Sequence, residues 1–291
     1  LDLHFVVGTG RCGSSLVHEI LAQHEDVGFI SNIDDNLPRL GLSGRFNNSF
    51  YRWTKGSWTR KGALRFAPSE AYRLVTQEVS PVYANSFRNL RAEDVTPWLR
   101  TRFERFFERR WMAQRKACFL HKYTGWPRVG FFGEIFPHAR FVHIVRDGRA
   151  VANSWLQMEW WGGHRGPEHW PWGPLNEEET AEWRRHQSSF IALAGLCWRR
   201  LMESFEADAA CLPGDRYLVL RYEDIVAMPT EQLQRIAEFV GLRWSRGIAA
   251  VADGMALDSS RKRAFETDLT AAQNDELTRV IGPILARYGY E

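Results

Sequence analysis

Residues 3–17 leave a chain little choice of fold: Leu3-His4-Phe5-Val6-Val7-Gly8-Thr9-Gly10-Arg11-Cys12-Gly13-Ser14-Ser15-Leu16-Val17. An apolar run of strand length stops at glycines. A helical pattern follows, with Leu16, Val17, Ile20 and Leu21 recurring on one face. A strand that feeds a glycine turn and a helix N-terminus makes an anion site, because free backbone N–H groups and the helix dipole both favour negative charge. Gly8, Gly10 and Gly13 let the backbone approach a phosphate, Arg11 adds a cation, and Ser14 and Ser15 add hydroxyl donors.

Three readings of this stretch compete. Gly8-x-x-x-x-Gly13 has P-loop spacing, but Ser14 stands where the P-loop lysine belongs, which argues against an ordinary ATPase, GTPase or nucleotide kinase. Gly8-x-Gly10-x-x-Gly13 also matches the dinucleotide fingerprint of an NAD(P)-dependent oxidoreductase. Asp34 and Asp35 then stand slightly more than 20 residues on, where a ribose-binding acid is sought. In the third reading the loop grips a 5′-phosphosulfate, with Arg11 replacing the lysine. From this stretch alone all three stay open, beside a plain glycine turn without a ligand.

The chain has 291 residues and is 44% hydrophobic, enough for one large α/β domain or two small ones with a real core. Its 38 Lys and Arg against 35 Asp and Glu do not suggest a nucleic-acid partner and are compatible with a local basic pocket. Cys12, Cys118, Cys197 and Cys211 lack CxxC or metal spacing, so no metal site is expected and reduced thiols in the cytoplasm are the simplest reading. No apolar run reaches 18 residues, so no membrane span is expected. No signal peptide is visible.

Along the chain, residues 27–31 read as a second strand leading into Asn32-Ile33-Asp34-Asp35, a polar exit facing the glycine loop. Residues 37–92 are turn-rich and irregular, a partly helical excursion over the site. Thr96-Pro97 predicts a helix start, with Val95, Leu99, Phe103, Phe106, Phe107 and Trp111 as a core-facing stripe. Residues 117–121 predict a strand ending in His121-Lys122-Tyr123, which offers a mobile cation and a titratable ring. Residues 140–145 predict another strand, running into Arg146-Asp147-Gly148-Arg149 and a helix with Ser154 eight residues after Arg146. Guanidinium, hydroxyl and helix N-terminus make a second anion site. Two such sites in one α/β domain point to a ligand with two separated anionic groups.

These residues resemble those of the sulfotransferases that use 3′-phosphoadenosine 5′-phosphosulfate. Gly8 to Ser15 resembles their 5′-phosphosulfate loop, in the arginine-bearing form of tyrosylprotein and carbohydrate enzymes. Val145 to Ser154 resembles their 3′-phosphate motif, His121-Lys122-Tyr123 their lysine segment, and Tyr222-Glu223-Asp224-Ile225 a stretch that follows a late strand. The resemblance implies a P-loop-like central parallel sheet flanked by helices, a single domain over 1–291, and excursions at about 37–115 and 155–210 covering the site. It implies that Gly10, Arg11, Cys12, Gly13, Ser14 and Ser15 hold the 5′ group, with Arg11 neutralising the leaving oxygen. Arg146 and Ser154 would hold the 3′-phosphate, joined by the approximate late match Ser259-Ser260-Arg261-Lys262-Arg263. Lys122 would stabilise the transferring sulfuryl group.

The catalytic glutamate of the tyrosylprotein enzymes, counted from the loop arginine, falls on Asn32, which cannot take a proton. The base then falls to Asp34 by preference, or to Asp35 or His121. The implied reaction is in-line sulfuryl transfer to the hydroxyl of a small-molecule or carbohydrate acceptor, with adenosine 3′,5′-bisphosphate released and no Mg²⁺ needed. A nucleotide-binding protein without catalysis is the non-enzymatic alternative.

The remaining segments add elements rather than chemistry. Residues 155–172 read as a Trp-rich loop, either an aromatic acceptor surface or a lid packed on its own tryptophans. Residues 177–206 predict one long helix, Pro229 to Gly241 a bounded helix, and residues 270–288 a final amphipathic helix bent at Pro283.

Overall fold

The computed structural model describes residues 1–54, 65–254 and 263–290. In chain order it contains β1 (Leu3–Gly8), α1 (Ser14–Leu21), β2 (Val27–Gly28), α2 (Asn32–Asn36), α3 (Asn47–Thr54), α4 (Tyr72–Glu78), α5 (Pro97–Gln114), β3 (Cys118–Thr124), α6 (Val129–Ile135), β4 (Phe141–Val145), α7 (Gly148–Leu156), α8 (Glu177–Arg185), α9 (Phe190–Ala209), β5 (Tyr217–Arg221), α10 (Pro229–Phe239) and α11 (Ala271–Arg287). The sheet runs β2-β3-β1-β4-β5, and every pairing is parallel. Central β1 is buried along its whole length, as a parallel strand covered on both faces must be.

Strand alternation sorts β1 between two cores. Leu3, Phe5 and Val7 face the aromatic layer of α5 and α6, where Phe5 stacks on Phe132 at 4.6 Å and on Phe141 at 5.2 Å. Val6 faces Val17 and Leu21 of α1 and Leu233 and Ile236 of α10. A third core packs α7, α9 and α11 around Trp155, Trp198 and Ile281 beyond the end of β4. Thr96 caps α5 by accepting the Leu99 N–H, and Pro97 opens the helix, as the dipeptide predicts.

Three local expectations are corrected. The second strand is only Val27–Gly28, because side chains take the backbone groups the ladder would use. Gln114 accepts the Phe29 N–H at 3.1 Å and donates to its carbonyl at 2.9 Å, and Ser31 then caps α2. The third strand runs on to Thr124, so Lys122 lies inside it rather than at its exit. The long helix predicted over 177–206 is two helices. Gln187 and Ser188 adopt positive φ between them, and the Ser189 hydroxyl caps α9. Of the two readings of residues 155–172, the packing on their own tryptophans is the one seen: 3-10 turns at Glu159–Trp161, Gly163–Arg165 and Pro167–His169 follow α7, Trp161, Trp170 and Trp172 are buried, and Trp172 stacks on Trp155 of α7 at 5.1 Å.

Among the described residues, no helix is long and apolar enough to cross a membrane. The four cysteines are unpaired, three of them buried.

Candidate active site

The site gathers at the carboxyl ends of β1, β3 and β4, where an open parallel sheet holds its ligands. After Gly8 the loop turns through Gly10 (φ 81°), Arg11 (φ 59°) and Gly13 (φ 96°) into α1. Gly13 is required twice. Its φ is left-handed, and a Cβ there would lie 2.2 Å from Cδ2 of Tyr222. Arg11 has no such freedom, and its left-handed backbone costs on the order of 1–2 kcal/mol.

Contacts to the second anion motif hold Arg11 in place. Arg11 Nε donates to Ser154 Oγ at 2.8 Å across 143 positions of sequence, and Arg146 Nη1 donates to the Arg11 carbonyl at 3.1 Å. Asp147 caps α7 by accepting the Arg149 N–H at 2.9 Å and pairs with the Arg149 guanidinium. Tyr222 lies under both motifs, with Arg146 4.9 Å from its ring centroid, while Glu223 accepts the Asp147 N–H at 3.3 Å. This explains the Tyr-Glu-Asp stretch after β5: it backs the junction of the two loops.

The structure therefore brings Gly10, Arg11, Gly13, Ser14, Ser15, Arg146 and Ser154 to one edge. The Cys12 side chain is fully buried in the core, so that residue offers the loop only its backbone. Arg261 and Lys262 lie outside the described residues. Arg263 is exposed and paired with Glu266 at 2.6 Å. The segment that follows leans on α7, since Asp268 accepts from Asn153 at 2.7 Å and Arg149 sits 5.0 Å from the Phe265 ring centroid.

Lys122 reaches the same edge from β3. Its Nζ donates to Ser15 Oγ at 2.7 Å and forms a short ion pair with Glu70. Thr124 Oγ1 also donates to Glu70, at 3.1 Å. Glu70 is clamped from both sides. Asp35 accepts from Ser69 Oγ at 2.9 Å and from the Leu74 N–H at 3.0 Å, and the Tyr72 hydroxyl donates to the Thr124 carbonyl at 2.8 Å. Burial, and then the charge of Glu70, push the Tyr72 phenol up to about 12, so it remains a neutral donor. Sequence reasoning missed Glu70. The only local sign was a carboxylate in the excursion that covers the site.

The expected bases are corrected. Asp34 is 3% exposed, and its Oδ2 accepts from the Ser31 N–H at 2.9 Å, Ser31 Oγ at 2.9 Å and Asn47 Nδ2 at 2.5 Å. Through Oδ2 it is the far member of the capping box that starts α2. Asp35 is an anchor for residues 69–74. Both aspartates are thereby withdrawn from the ribose-binding role that the dinucleotide reading required. His121 points to the opposite face of the sheet from Lys122, into the aromatic core 5.2 Å from the Phe107 ring. Burial holds its pKa well below the ordinary histidine value, so it stays neutral there.

Among the described residues, one group with metal-ligand chemistry, Asp2, His4 and Cys118, lies at the other end of the sheet. His4 Nδ1 accepts the Arg140 N–H at 3.2 Å. Its proton is thus on Nε2, directed at Asp2 at 3.1 Å, and the ring has no lone pair left for an ion.

A family model described as "Sulfotransferase family" matches residues 4–246. The chain is 28% identical over 200 residues to the omega-hydroxy-beta-dihydromenaquinone-9 sulfotransferase Stf3 of Mycobacterium tuberculosis, a match covering 67% of this chain and 46% of that protein. It is 22% identical over 312 residues to protein-tyrosine sulfotransferase 1 of Danio rerio, covering all of this chain and 73% of the relative. The match thus spans less than half the length of the mycobacterial relative. Among solved structures, sulfotransferase STF9 of Mycobacterium avium superposes with a TM-score of 0.56 at 16% identity, covering 100% of this chain and 77% of that one. That likeness shows the same fold.

Proposed function

The chain belongs to the sulfotransferase family, and on that premise we propose that it moves a sulfuryl group from 3′-phosphoadenosine 5′-phosphosulfate to an acceptor hydroxyl. The observation that carries this reading is the junction of Arg11, Ser154 and Arg146. The 3′- and 5′-phosphates of one ribose are only a few bonds apart. Two helix N-termini whose arginines already touch suit that pair of anions better than two unrelated ligands.

The donor supplies an activated sulfuryl group, and this chain's residues supply position and charge. Ser14, Ser15 and the backbone of residues 10–13 hold the 5′ end. Arg146 and Ser154 hold the 3′-phosphate. Arg11 faces the bridging oxygen on which charge grows, and Lys122 the equatorial oxygens, so two fixed cations act where an ATP enzyme uses Mg²⁺. Glu70 stands beside Lys122 and serves as the base. The acceptor O–H breaks, its proton passes to a Glu70 carboxylate oxygen, the acceptor oxygen bonds to sulfur, and the bond from sulfur to the phosphate oxygen breaks.

For the acceptor we favour a small molecule or carbohydrate. The names of the relatives, one acting on a hydroxylated menaquinone derivative and one on protein tyrosine, support a hydroxyl acceptor in general. Two cores on the faces of one sheet, with a third packed beyond the end of β4, support a single domain, and the unpaired cysteines support the cytoplasm.

Transfer of label from sulfur-labelled donor into a metabolite extract, with EDTA present, tests the reading. Labelled product is expected. Absence of transfer, together with thermal stabilisation by NAD or ATP rather than by adenosine 3′,5′-bisphosphate, would refute it.

A further inference from the structure

The excursion that leads to Glu70 contains a helix with inverted polarity. α3 turns Asn47, Asn48 and Tyr51 inward. Asn47 Nδ2 donates to the Phe29 carbonyl at 3.1 Å, Asn48 Nδ2 to the Ala22 and His24 carbonyls at 2.9 Å each, and the Tyr51 hydroxyl to the Glu19 carbonyl at 3.3 Å. The outward stripe is aromatic: Phe46 is 55% exposed, Phe50 41% and Trp53 74%, with Leu40 nearby in sequence at 65%. A helix that served only to cover the core would show the opposite polarity. Hydrogen bonds fix this one and leave its apolar face outward.

The sequence on either side of it is equally lopsided in charge. From Asn36 through Ser69 the sequence holds seven Lys and Arg and no Asp or Glu. The rest of the chain carries 31 cations against 35 acids, so the positive excess of the whole protein lies in this one stretch. Arg39, Arg45 and Arg52 are exposed beside the stripe. An acid that faces them is Glu25, 3.7 Å from Arg52.

We propose that this face docks on an anionic lipid surface, with Phe46, Phe50 and Trp53 at the boundary of headgroups and acyl chains and the arginines on lipid phosphates. Aromatic residues flanked by cations are the composition of a helix lying in a membrane interface. The cations make negative headgroups a requirement. A nucleic acid would meet the same charges, but stacking needs free ring faces. Of the three rings of the stripe, two are already in use, Phe50 stacked on Phe66 at 4.8 Å and Phe46 with Arg45 5.3 Å from its centroid.

Flotation of the full chain with vesicles of phosphatidylcholine, alone or mixed with phosphatidylglycerol, tests the docking without reading enzyme activity. The chain is expected to float with the mixed vesicles, less so at high salt, and to stay behind with the neutral ones. The double variants Phe46→Ser/Trp53→Ser and Arg39→Glu/Arg45→Glu are each expected to lose roughly tenfold or more in vesicle affinity, with Tm and adenosine 3′,5′-bisphosphate affinity unchanged. Flotation that ignores lipid charge, no flotation at all, variants that float like the parent, or capture by a single-stranded oligonucleotide in place of vesicles would each overturn the proposal.

Discussion

Glu70→Gln is expected to lower kcat for sulfuryl transfer by roughly 10²–10⁴ while affinity for adenosine 3′,5′-bisphosphate holds. The amide keeps an oxygen to accept from Lys122 and Thr124, so the local hydrogen bonds survive while the proton acceptor is lost. Glu70→Asp keeps a carboxylate on a shorter stem and is expected to recover part of the rate. Steady-state rates beside bisphosphate titrations separate the effects. Weakened nucleotide binding at near-normal kcat would make Glu70 only a support for Lys122. Asp35, Ser69 and Tyr72 hold Glu70 at that edge, so the carboxylate is positioned before any acceptor arrives.

Arg11→Ala is expected to cost roughly a hundred- to a thousandfold in kcat, the loss typical of removing one donor aimed at developing charge. Alanine keeps the strained backbone and loses the cation. Arg11→Gly relieves the strain and loses the cation as well. Equal rate losses in both, with Arg11→Gly the more heat-stable, would assign the effect to charge. Near-normal turnover in either variant would remove Arg11 from the mechanism.

Much of this site is legible in the sequence because it is local. β1 with its glycine loop, and β4 with Arg146 and Ser154, each announce themselves within about a dozen residues, since a strand, a turn and a helix start leave short-range marks. What failed depended on distant partners. Gln114 shortens β2 from 85 positions away. Glu70 acquires its place from Asp35, Thr124 and Lys122, in a stretch with no periodicity of its own. Two misassignments had local remedies. Ser31-x-x-Asp34 is a variant of the capping-box pattern and marks Asp34 as structural. Strict alternation along β3 means that His121 and Lys122 cannot serve the same face.

The central claim is that the junction of the two loops holds both phosphates of one nucleotide. Titrating the parent and Arg146→Ala with adenosine 3′,5′-bisphosphate and with adenosine 5′-phosphate closes a thermodynamic cycle. Deleting the 3′-phosphate or deleting Arg146 is expected to cost about 1.5–3 kcal/mol, roughly ten- to a hundredfold in Kd, and deleting both no more than deleting one. Losses that simply add would mean that Arg146 does not meet the 3′-phosphate, and the account would be wrong.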